Sequence, residues 1–323
     1  MTTATDTTLV WRAATTTENY NWIKKISDAL TACGCVLTSD TGQISLAGTT
    51  VTIPSTPDET FKQAGFQIRK LEKSGLPTIY IRIDYGVRRY SNFSSAANNV
   101  VPALRISFGT ETNGAGVLGG VVSTYKIYSS FGFYKQAELA PVAVRPLFFS
   151  SDGESYLTMC IDPAVAGGSL TYRTSSQPPL LMCVERSVTP LTGAYDGDGF
   201  VWCSVSSDLP SSEPGASYYG VANIPGAAAY GDTIASVPAQ NTGLFTSTFS
   251  AGATNLFPVT VCLPKAKGPM KSVLYYYKLD IADGYTFSTT IYGATRTYIA
   301  GGQLQSASAA IGGPNMAMAL RYD

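Results

Sequence analysis

Ile79-Tyr80-Ile81-Arg82-Ile83-Asp84-Tyr85 is the stretch on which the reading of the fold turns. Ile79, Ile81 and Ile83 fall on one face of an extended chain, and Arg82 and Asp84 on the other. That period of two marks a β-strand with one apolar side. Toward the carboxyl terminus, Leu104–Phe108 and Thr124–Tyr128 read as its neighbours. Toward the amino terminus, Phe66–Leu71 reads as a strand or a short helix. Cys35–Thr38, Gln43–Leu46 and Thr50–Ile53 are short strand candidates separated by Gly, Ser and Asp.

One helix precedes these strands. Thr15 and Glu18 have the spacing of a capping box. Tyr20, Ile23, Ile26 and Leu30 then recur at helical spacing, with Lys24, Lys25 and Asp28 on another face. Gly34 is placed to close the helix in a left-handed conformation. In the second half, Leu147–Ser150 and Tyr156–Ile161 flank Ser-Asp-Gly-Glu, a hairpin turn signal. Leu180–Arg186 and Gly199–Ser204 form a second expected pair, and Val259–Leu263, Val273–Asp280 and Thr286–Tyr292 restore the strand pattern. Residues 207–256 are mostly Ser, Pro, Gly, Ala, Thr and Asn, a long loop of the kind used as a binding or interlocking arm. Gly301–Met318 is a small-residue tail with weak periodicity. The expected fold is mainly β: β-sandwich-like domain or domains with one amino-terminal amphipathic helix and long loops. A boundary near Ala137–Pro146 divides the chain into residues 1–140 (helix plus β domain) and 141–323 (β domain carrying the long loop). A single elaborated sandwich is the alternative.

Composition narrows the function classes. The 323 residues contain no histidine, which excludes Ser-His-Asp triads, Cys-His dyads and His-based zinc or iron sites. Charged residues are only 14%, well below the usual quarter or so, with 20 Tyr, 13 Phe and 31 Gly in their place. So few charges resist self-association poorly, and tyrosine suits interfaces through broad contact area and little rotamer entropy. Net charge is zero, but residues 1–145 hold 14 basic and 10 acidic side chains against 8 and 12 in the remainder. That imbalance would suit head-to-tail contacts, and scattered charge on two ordinary domains accounts for it equally well. Neither part is basic enough to indicate nucleic acid. No secretory signal or membrane-spanning run is evident, so the six cysteines are expected to stay reduced in a cytoplasm. Without a Cys-x-x-Cys pair, buried thiols are a simpler expectation than zinc.

Local motifs have ordinary readings beside their functional ones. Gly114-Ala115-Gly116-Val117-Leu118-Gly119 satisfies G-x-G-x-x-G, but a dinucleotide site needs a strand leading directly in and a helix opening out. A flexible loop tip is the expectation. Asp196-Gly197-Asp198-Gly199 lacks the further carboxylates of a calcium loop and reads as a tight turn. Asp152 with Glu154, and Asp196 with Asp198, are the carboxylates to weigh for glycan cleavage; all four fall at expected turns. Arg88-Arg89-Tyr90 offers a basic-aromatic patch for an anionic lipopolysaccharide or an acidic neighbour. Tyr218-Tyr219 lies in the long loop. In Tyr275-Tyr276-Tyr277, either Tyr276 or its two neighbours face outward. Arg88, Arg89, Tyr90, Tyr218, Tyr219 and Tyr276 are therefore the candidate contact residues, and no catalytic, cofactor or metal residue is expected.

The chain resembles structural proteins of tailed bacteriophages. The resemblance is carried by the helix ending in Ala32-Cys33-Gly34, Asp40-Thr41-Gly42-Gln43, and Gly65-Phe66-Gln67-Ile68-Arg69 leading into Leu76–Gly86. It continues in Gly109–Gly116 and in Val184-Glu185-Arg186-Ser187 ahead of Asp196–Gly199. Residues 207–256 and the tail lie outside it. It implies a virion component made in the host bacterial cytoplasm, at or near the tail tip or baseplate, and carries no catalytic residue across. The expected partners are other virion proteins and copies of the chain itself. A host receptor- or glycan-binding module, or a head decoration or collar protein, is the alternative.

Overall fold

The computed structural model describes residues 2–6, 8–10, 15–53, 61–89, 100–120, 126–129, 147–161, 180–189, 192, 194–205, 235–236, 256–261, 268–277, 281, 285–303 and 316–323. Its elements in chain order are β1 (Thr2–Asp6), α1 (Thr16–Ala32), β2 (Val36–Leu37), β3 (Lys62–Leu71), β4 (Ile79–Arg89), β5 (Val100–Gly109), β6 (Glu111–Thr112), β7 (Leu118–Gly119) and β8 (Lys126–Ser129). They continue as β9 (Leu147–Ser151), β10 (Tyr156–Ile161), β11 (Leu180–Val188), β12 (Tyr195–Val205), β13 (Ala235–Ser236), β14 (Phe257–Val261), β15 (Gly268–Tyr277), β16 (Thr286–Ile291), β17 (Ala294–Gln303) and β18 (Met316–Arg321). The fold is mainly β, as the sequence predicts.

Three antiparallel sheets carry the architecture. The first runs β2-β3-β4-β5-β8, the second β1-β9-β10-β11-β12 and the third β13-β14-β15-β18-β17-β16. Ile79, Ile81, Ile83 and Tyr85 are fully buried on the inner face of β4. The other face is not solvent either. Asp84 is fully buried and binds Arg82 at 2.8 Å and Arg105 at 3.0 Å, while Phe66 and Phe61 lie under those guanidinium groups.

The helix forms where the sequence places it. Thr15 and Glu18 make both bonds of the capping box. At the other end the Gly34 N–H donates to the Thr31 carbonyl and the Cys35 N–H to that of Leu30, with Gly34 at φ 78°. This is a Schellman closure, which needs a residue free to adopt positive φ. Trp22, Ile23, Ile26 and Leu30 are fully buried. Each such Ile or Leu contributes roughly 1.5–3 kcal/mol by leaving water. Arg69 on β3 fastens the helix to the first sheet, donating to the Ser27 carbonyl and hydroxyl, the Thr31 hydroxyl and the Cys35 carbonyl.

The second sheet is buried on both faces, which explains why Leu147–Ser151 and Tyr156–Ile161 show no clean alternation. Phe149, Leu157, Met159, Met182, Val184 and Trp202 pack with α1 and the inner face of the first sheet. Phe108 meets Phe200 and Trp202 across that junction. The opposite face meets the third sheet. Thr158 donates to the Arg321 carbonyl, Phe148 meets the Tyr322 ring edge-on, and Arg321 stacks over Tyr156. One core therefore draws on residues from Leu9 to Trp202, and β1 is an edge of the same sheet as β9. Residues 137–146, where the boundary was expected, lie outside the described residues.

Several local expectations are corrected. Gln43–Leu46 and Thr50–Ile53 are not strands but irregular chain: the Ile44 N–H donates to the Phe66 carbonyl on β3, and the Val51 N–H to the Thr16 carbonyl at the start of α1. Asp196–Gly199 is not a tight turn but part of β12. The register between Arg186↔Phe200 and Val188↔Tyr195 advances five residues on β12 against two on β11, a large bulge. The tail supplies β18, which lies between β15 and β17 inside the third sheet. The long loop 207–256 lies outside the described residues except for 235–236 and 256. No helix among the described residues is long and apolar enough to cross a membrane.

Candidate assembly surface

The β16–β17 hairpin closes through Tyr292 at φ 48° and Gly293 at φ 72°. Two successive positive φ values define the turn type that matches strand twist in a two-residue hairpin, a position usually held by Asn-Gly. A bulky side chain there is a backbone outlier of a kind associated with functional positions. The Tyr292 ring lies 5.6 Å from the Lys271 ammonium, which is 5.4 Å from the Tyr195 ring; Lys73 sits 5.6 Å from that same ring. Tyr195 is 39% exposed and donates its hydroxyl to Ser155 at 2.7 Å. Lys73 pairs with Glu154.

This cluster stands on a buried joint between the second and third sheets. Glu185 on β11 accepts from the backbone N–H groups of Lys271 (2.7 Å) and Ser272 (2.8 Å) on β15. The Tyr298 hydroxyl donates to the Lys271 carbonyl at 2.5 Å. Burial raises the Glu185 pKa above the ordinary carboxylate value, with the bonds from Lys271 and Ser272 opposing it. Burial likewise lowers Lys271, partly offset by the Glu185 charge. Next along β11, Arg186 donates to the Leu71, Pro77 and Glu154 carbonyls and so reaches the first sheet.

Of the residues singled out from sequence, Arg88 and Arg89 end β4, facing Val101 and Val100 in register. Tyr90, Tyr218 and Tyr219 lie outside the described residues. Tyr276 is corrected: it is fully buried in the core of the third sheet with Leu274, Tyr298 and Ala319, and so is no surface contact. The alternation of β15 turns Leu274 and Tyr276 inward together, and that core needs both.

The Gly-rich motif is a braced hairpin loop rather than a flexible tip. β6 and β7 pair across it, Asp40 accepts from the Thr112 hydroxyl and the Gly116 N–H, and Arg82 donates to the Gly116 carbonyl. Burial would raise Asp40, but the bonds from Thr112, Thr38 and Gly116 outweigh it and hold the carboxyl low. Asp152 accepts from the N–H groups of Glu154, Ser155 and Tyr156, capping the β9–β10 turn. Cys33 and Cys35 are buried free thiols pushed up by burial to about 11 and about 12. Cys160 and Cys183 are also buried. Among the described residues no three Cys, Asp or Glu side chains converge as metal ligands.

Sequence reading passed over Tyr195, Lys271 and Tyr292. The available signal was Tyr292-Gly293 between two strand-like runs, a hairpin-turn position holding an unexpected residue. Searches against family models, curated proteins and solved structures return no match for this chain.

Proposed function

We propose that this chain is a non-enzymatic structural subunit of a tailed-phage particle, associated with the tail tip or baseplate and assembling through its β-sheets. The observation that supports it most is how the ionisable side chains are used. Arg69, Asp84, Glu185 and Arg186 are buried where elements join, and their hydrogen-bond partners belong to the chain itself. Asp152 and Glu154, the carboxylates weighed for glycan cleavage, cap a turn and hold Lys73. A carboxylate that cleaves a glycan must reach the sugar as acid, base or nucleophile. These side chains instead hold helix to sheet, strand to strand and, through Glu185 and Arg186, one sheet to the next, which suits a load-carrying part. The zero histidine count and the low charge point the same way.

Quantitative mass spectrometry of gradient-purified particles tests this. A structural subunit appears in fixed ratio to the other virion proteins across independent preparations. A chain abundant in infected cells but absent from particles would overturn the proposal.

A further inference from the structure

We infer that β16 is a self-pairing edge, which joins two copies of this chain antiparallel about a two-fold axis through Ser288. The inference rests on the structural-subunit reading and names its partner surface.

The hairpin geometry decides which backbone groups point outward. Ile291 faces Ala294 across a two-residue turn, so that pair exchanges both backbone hydrogen bonds. The same pattern then holds every second residue, at Thr289 and Phe287. The bond from the Ala300 N–H to the Tyr285 carbonyl at 2.9 Å continues that phase beyond the strand. Thr286, Ser288 and Thr290 occupy the alternate sites, where the strands lie closest and the N–H and C=O groups point away from β17. The hydroxyl contacts agree: Ser288 meets Thr297 at 3.3 Å and Thr290 meets Thr295 at 3.1 Å, as narrow sites allow. Three residues thus present donors and acceptors along the free side of β16. Among the described residues no strand pairs there.

Natural edge strands are blunted with lysine, proline or an inward charge. Thr286-Phe287-Ser288-Thr289-Thr290-Ile291 has none of these. A two-fold pairing sets each residue against a symmetry-related neighbour, so any charge on the strand would approach its own copy. An uncharged strand carries no such penalty. With the axis at Ser288, Thr286 meets Thr290 of the second copy and Ser288 meets itself, allowing up to ~6 backbone hydrogen bonds. Phe287 and Ile291 lie on the core side of the strand and are only partly buried against the core of the third sheet. A second β16 would place Thr289 beside Phe287 and extend that cover. Interfaces of this kind are self-complementary, the commonest way for identical chains to associate.

Sedimentation analysis of the purified full chain at about 100 μM tests the pairing. Two variants accompany the wild type. Ser288→Lys brings two ammonium groups together at the axis. Ser288→Pro removes an outward donor without touching a β16–β17 bond. Dimers or larger species in the wild type, with Kd raised about tenfold or more in both variants at unchanged circular dichroism, is the expected result. A wild type that stays monomeric, or variants that associate as the wild type does, would overturn self-pairing. Neither outcome alters the particle mass spectrometry, so the two claims fail separately.

Discussion

Replacing Glu185 with alanine removes the acceptor that holds β15 against β11. Two buried N–H groups, those of Lys271 and Ser272, lose the bonds now at 2.7 and 2.8 Å. An orphaned buried donor costs about 1–3 kcal/mol, and two are left here. The expected loss is therefore about 2–5 kcal/mol, a large share of the stability of an ordinary domain. Urea denaturation at neutral pH, followed by tryptophan fluorescence, reads the total. Hydrogen exchange reads its location, and the amides of 268–277 and 316–321 should lose protection before those of 156–161. Glu185→Gln keeps the volume and one acceptor oxygen, so it serves where the alanine variant fails to fold; its expected cost is about 1–3 kcal/mol. A change in Glu185→Ala below about 0.5 kcal/mol, the level of an ordinary surface substitution, would refute the joint.

The same residue sets a pH dependence. Its folded pKa is raised from 4.5, so the folded state holds the proton more tightly than the unfolded one. The stability linked to this proton is present below pH 4.5 and falls as pH rises through the folded value, a slope that Glu185→Gln should flatten in pH-dependent urea midpoints. Asp6 and Asp40 are lowered from 3.8, so theirs is lost on the acid side, as pH falls from that value through their folded values; Asp40→Asn should remove part of it. Thr15→Ala deletes the capping hydroxyl and should cost about 1 kcal/mol in denaturant midpoint analysis. Gly86→Ala would set a Cβ 2.2 Å from the Lys62 carbonyl oxygen, which cannot rotate away; a loss of about 2–3 kcal/mol is expected in the same assay. Cys33 and Cys35 should resist a thiol reagent at pH 8 in the native protein and react once it is unfolded.

The legible parts of the fold are those where apolar and polar side chains alternate strictly or a cap is local. Thr15, Glu18 and Gly34 specify the helix ends by chemistry within a few residues, and Ile79 to Tyr85 alternate plainly. β1 and β18 were not legible, because Thr2–Asp6 and Met316–Arg321 carry Thr, Ala and Met, whose contrast between faces is weak. Their places come from distant partners: Thr3 donates to the Tyr322 carbonyl and Thr158 to that of Arg321. Asp196–Gly199 has turn chemistry, yet its flanks pair with β11 and convert it into a bulge. The candidate surface was hidden for a similar reason. Lys73, Tyr195, Lys271 and Tyr292 are scattered along the chain, and only the Glu185 joint and the hairpin turn bring them together.

Immunogold electron microscopy of intact and opened phage particles, with an antibody against the folded chain, asks whether this protein is built into a virion at all. Gold at one defined location, the tail tip or baseplate, is the predicted result. Particles that stay unlabelled, intact and opened, while the same antibody binds the isolated protein, would contradict the structural role.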